Sequence, residues 1–125
     1  MQVNEEIKKE LVKNLKEWQK ELNYHIDFCI EGIKDSKTVE DIMRYKRNFL
    51  YIYVREIPLQ DETCYFCLLH KDKKTGYIDC ENCKYGKIHG ICFEPDSDYQ
   101  SILKIRNQLR CEIGFLYFNN DKYDE

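Results

Sequence analysis

The chain has 125 residues, 42% hydrophobic and 34% charged, with a formal net charge of -3. That bounds it to one domain with a small core and at most one appended lobe. The acidic balance excludes a generic nucleic-acid coat, because unspecific phosphate binding needs a basic surface; only a local basic patch stays open.

The first residues, Met1 to Glu10, are polar and charged, unlike a secretory signal. No apolar run approaches the ~18 residues of a spanning helix. The expectation is a cytoplasmic, reducing compartment, where cysteine pairs bind metal more often than they form disulfides. Residues 3 to 33 predict one long helix. Leu11, Leu15, Trp18, Leu22, His25 and Cys29 keep to one stripe, widened by Ile7, Ile26, Ile30 and Ile33. The stripe suits a core, and its length also suits the seam of a homodimer through this N-terminal helix.

Gly32 and the run Lys34 to Lys37 break the helix. Thr38-x-x-Asp41 then opens a second one in the style of a capping box, and it ends before Pro58. Its segment Phe49 to Val54 is rich in β-branched and aromatic residues, yet its apolar positions continue the helical spacing. The two helices predict an antiparallel hairpin over 1–58.

Residues 59 to 96 show no helical period and carry two Cys-x-x-Cys pairs, Cys64/Cys67 and Cys80/Cys83, followed by Cys92. Such pairs grip a tetrahedral metal, so the expectation is a loop-rich, four-cysteine lobe holding structural zinc on four of these five thiols. His70 and His89 are further ligand candidates, and an iron–sulfur cluster fits the same spacing. A redox dithiol fits less well, because neither pair reads as opening a helix after a strand. Thr75 to Cys80 predicts one short hairpin strand.

Ser97-x-x-Gln100 is a capping box for a third helix, over 97–118, with Tyr99, Ile102, Leu103, Arg106, Leu109, Ile113, Leu116 and Tyr117 on its period. Residues 119–125 read as a frayed polar tail. Cys29 and Cys111 fall on helices and read as buried apolar residues. The fold class is therefore mainly α: a helical hairpin, a zinc lobe and a C-terminal helix.

The stretch Cys64-x-x-Cys67, Cys80-Glu-Asn-Cys83-Lys-Tyr-Gly-Lys-Ile-His-Gly-Ile-Cys92 and Ser97-Asp-Tyr99 resembles short Cys-rich, zinc-binding proteins of phages, prophages and mobile elements. The resemblance covers roughly the middle third of the chain, with Lys84 where that pattern carries Pro. It implies a metal lobe with Cys92 as a ligand candidate and no known enzyme activity. It also implies action on a host protein, such as a defence complex, in the manner of an anti-CRISPR protein.

Function reads first as binding of a protein partner, from ten Tyr, a long amphipathic helix and a rigid lobe. The alternative is nucleic-acid binding through Arg44, Arg47, Lys73, Lys74, Lys84 and Lys87, basic groups set among aromatics. There is no glycine-rich phosphate loop, no His-Glu-x-x-His and no nucleophile elbow, so the chain does not read as an enzyme.

Overall fold

The structure, a computed structural model, describes residues 1–123. It is mainly helical, with α1 over Glu5–Asp35, α2 over Val39–Arg55, α3 over Tyr65–Leu69, α4 over Lys84–His89 and α5 over Asp98–Phe115. Two 3₁₀ turns, Asp61–Thr63 and Cys80–Asn82, precede α3 and α4. The helical choice for Phe49 to Val54 is the observed one. None of the helices among the described residues is long and apolar enough to cross a membrane.

The chain divides into two compact units. One comprises Met1–Trp18 and Pro58–Lys104, the other Gln19–Ile57 and the chain from Ile105 onward. Helices α1 and α5 each contribute to both.

Asn4 starts α1: its Oδ1 accepts from the amides of Glu6 (3.0 Å) and Ile7 (3.3 Å), groups with no partner inside the helix. Along α1, Ile7 and Cys29 are buried and Leu11, Asn14, Trp18, Leu22 and His25 are half-buried. Leu15 and Ile30, expected on this stripe, are 38% and 45% exposed. The covered line steps from Leu11 to Asn14 to Trp18, and Asn14 secures its place by donating Nδ2 to the Glu62 carbonyl at 2.7 Å. Within the first unit the Asn4 amide also donates to the Tyr65 hydroxyl at 2.8 Å.

In the second unit Thr38 caps α2 as its sequence predicts, with Oγ1 accepting from the Asp41 amide at 3.1 Å. Tyr45 of α2 presses on α1 at Gly32, where a Cβ would meet the ring. The Tyr45 ring also sits against Phe28, with centroids 6.0 Å apart. On α5 the covered positions are Tyr99, Gln100 and Leu103 in the first unit, and Arg106, Arg110, Ile113, Gly114 and, just beyond its end, Tyr117 in the second. Ile102, Leu109 and Leu116, expected on this stripe, are 45%, 48% and 70% exposed. Cys111 lies off the covered line and is exposed, unlike Cys29. Up to Tyr123 the tail has ties: the Tyr123 amide donates to Glu40 Oε1 at 3.0 Å. The expectation of fraying over Asp124 and Glu125 lies outside the described residues.

Cores are thin. Among the described residues only Ile7, Leu68, Cys83 and Ser97 in the first unit, and Cys29, Val54 and Ile113 in the second, are buried side chains.

Candidate metal centre

The cysteine region is more ordered than a loop. Both thiol pairs open short helices: Cys64 is the N-cap residue of α3 and Cys83 that of α4. Residues 59 to 96 show no helical period in sequence, yet α3 and α4 form there. Five- and six-residue helices are too short to show a period. Each follows a 3₁₀ turn, not a strand.

Between the pairs the chain doubles back. Asp72 Oδ1 accepts from the amides of Lys74 (2.8 Å) and Thr75 (3.1 Å), an Asx turn. Gly76 takes a φ of 75°, and its amide donates to the Asp72 carbonyl at 2.8 Å. The expected strand reduces to a single antiparallel bridge, Lys71 to Ile78. The turn thereby returns Cys80 towards Cys67.

Cys92 is brought in from the other side. Ser97, only 1% exposed, donates Oγ to the Cys92 carbonyl at 3.2 Å and accepts from the Gln100 amide at 3.2 Å. Gln100 Nε2 donates to the same Cys92 carbonyl at 2.8 Å. The capping box is therefore half made: its glutamine grips Cys92 rather than the Ser97 amide. Gly90, at φ 89°, ends α4; a Cβ there would stand 3.1 Å from Ser97 Cα.

The result is convergence. Cys67, Cys80, Cys83 and Cys92 line one small void of about 10 Å³. Cys64, Cys67, Cys80 and Cys92 also form part of an open groove of about 720 Å³ beside it. No group of three or more His, Cys, Asp or Glu among the described residues is set closely enough to hold a metal ion as it stands.

The thiols feel one another. The Cys67 thiol lowers the pKa of Cys64 to about 6, and the amides of Cys67 and Phe66 act in the same direction, although Cys64 makes no cap hydrogen bond. The same interaction pushes Cys67 up, with burial and the charges of Cys64, Cys92 and Cys83 adding to it. Burial, then neighbouring sulfur charges, also raise Cys80 and Cys92. One thiolate is thus favoured while further ones repel each other and lose hydration, a conflict that a cation relieves.

The other sequence candidates fall elsewhere. His89 stacks on Tyr85 at 4.6 Å and places Nδ1 2.5 Å from Asp98 Oδ2. His70 Nε2 is buried without a partner and lines neither the void nor the groove. Lys73, Lys74, Lys84 and Lys87 are exposed in the first unit. In the second unit Arg44 pairs with Asp41 at 2.8 Å, and Arg47 donates to the Gly114 carbonyl at 2.5 Å. Asn4, the Cys92 clamp and the Arg47–Gly114 tie were not singled out from sequence; of these, Asn4 had a signal, a cap residue just before Glu5 and Glu6.

Comparison with protein-family models, curated proteins and solved structures finds no match to the chain.

Proposed function

We infer that this chain is a helical module stapled by structural zinc, and that it works by binding a protein partner over the thiol lobe. The observation that carries this reading is the groove of about 720 Å³, with thiols in its lining and Tyr65, Phe66, Tyr85, Phe93 and Tyr99 among its walls. Phe93 is 66% exposed, an apolar ring with no cover of its own. Aromatic rings around a rigid floor are what an interface anchor needs, because they bury large areas at low entropic cost.

The zinc reading rests on donor chemistry and on the thin core. Cysteines from three segments line one void, and zinc takes four soft sulfur donors at ~2.3 Å. Ile7 and Leu68 are the only buried aliphatic side chains among the described residues of the first unit, and small scaffolds with so little burial need a staple. Loading would draw the sulfurs inward from their present spacing and fix the groove floor. The resemblance to phage and mobile-element proteins adds a class of partner, a host defence complex.

Two measurements test the reading. Elemental analysis of chain purified without chelator should give about one zinc per chain, and Cys83→Ser should lower it. A photocrosslinking residue at Phe93 should give one predominant protein adduct that chelation abolishes, whereas the same residue at the exposed Lys46 should give none. A metal-free yet folded lobe removes the staple; equal adducts from both positions remove the groove as a contact surface.

A further inference from the structure

The second unit contains a cleft that neither the thiol lobe nor the partner groove uses. It has a volume of about 590 Å³, within the range of small-molecule sites. Phe28 of α1 and Tyr45, Phe49 and Tyr51 of α2 give it aromatic walls; His25, Arg47 and Asn48 are its polar groups. Aromatic walls with a few polar groups are the usual make-up of a site that holds a flat organic molecule.

Arg47 determines the sign of the ligand. It is half-buried, and its guanidinium donates to the Gly114 carbonyl at 2.5 Å and, weakly, to Asn48 Oδ1 at 3.5 Å. Its Nε is buried with no partner. Among the described residues no carboxylate lies within ion-pair distance of it, although Arg44, one turn earlier, has Asp41. A half-buried guanidinium without a counter-ion can take an oxyanion, because the fork of N–H groups matches two oxygens.

We propose that this cleft binds a small organic anion, with a carboxylate or phosphate head paired to Arg47 and a flat apolar body against the Phe28, Tyr45, Phe49 and Tyr51 rings. His25 and Asn48 orient the ligand.

The test is an NMR titration of the full chain with benzoate, phenyl phosphate and the neutral benzyl alcohol. Saturable shifts at Phe28, Asn48 and Gly114 are expected for at least one anion, with benzyl alcohol at least about tenfold weaker because it offers no charge to Arg47. Benzoate alone identifies a carboxylate head, phenyl phosphate alone a phosphate head. Arg47→Gln should cost about tenfold or more in anion affinity. Because that variant also loses the Gly114 tie, Phe28→Ala serves beside it: Phe28 is 62% exposed, so folding should persist while every ligand weakens severalfold. No saturable shift from either anion overturns the proposal. So does benzyl alcohol binding as tightly as the anions, or unchanged affinity in Phe28→Ala.

Discussion

Gly32→Ala tests how tightly α1 and α2 are packed in the second unit. Gly32 lies inside α1, where helix propensity alone favours alanine by about 1 kcal/mol. The packing opposes it. A Cβ at this position would stand 2.6 Å from Tyr45 Cζ and nearer still to Cε1 and Cδ1. Reaching ordinary contact at 3.4 Å requires the nearest ring atoms to retreat by about 1 Å. The ring is not free to do so, since it rests on Phe28 and its own backbone carbonyl accepts from Cys29 Sγ at 3.5 Å. Overpacking of this kind costs about 1–3 kcal/mol, so the expected net effect is a loss of roughly 0–2 kcal/mol. The sign should reverse when the obstacle is removed. In a Tyr45→Ala background, Gly32→Ala should stabilise by about 1 kcal/mol, a coupling of about 1–3 kcal/mol between the two sites. Urea unfolding followed by far-UV circular dichroism on the four proteins of this cycle measures it. Gly32→Ala stabilising the unmodified chain as much as the Tyr45→Ala chain would refute the close approach.

Three further outcomes follow from local geometry. Thr38→Ala should lower stability by about 1 kcal/mol, because the Asp41 amide loses its cap, while Thr38→Ser should be nearly neutral; urea unfolding compares the two. Gly90→Ala should destabilise the first unit by about 1–3 kcal/mol, since alanine at φ 89° is strained and its Cβ crowds Ser97; hydrogen exchange over residues 84–100 would locate the loss. The amides of Thr75 and Lys74 hold the Asp72 carboxyl below its usual range, so the turn is favoured above the unfolded pKa and is lost as pH falls through the lower, folded one. The NMR shifts of those two amides should accordingly titrate with a midpoint below the ordinary ~3.9, and a midpoint at or above that value contradicts the Asx turn.

The long helices are legible in the chain because the 31 residues of α1 and 17 of α2 repeat a period many times, and α2 carries the cap signal of Thr38. What a period cannot give is the phase. Leu15 and Asn14 differ by one position, and only the Glu62 carbonyl across from Asn14 explains why the polar residue is the covered one. The same holds on α5, where Arg110 is covered and Leu109 is not. Helices α3 and α4 are invisible to periodicity because so few turns repeat nothing. The thiol spacing did indicate which segments meet, since the void gathers residues from both pairs and Cys92. It did not indicate the agent that positions Cys92, because Ser97 and Gln100 look complete as a capping box. Arg47 illustrates the converse: a basic residue beside aromatics suggests a surface contact, and its tie to Gly114 depends on α5, 67 positions away.

The clamp on the Cys92 carbonyl has a practical corollary for anyone wishing to transplant the cysteine segment into another scaffold. A graft cut at Pro95, where the loop looks finished, would leave behind Ser97 and Gln100, along with the Tyr99 hydroxyl that reaches back to the Leu59 carbonyl. The smallest portable piece therefore runs past Gln100, and it must borrow a surrogate for Asn4 and Asn14 from its new host.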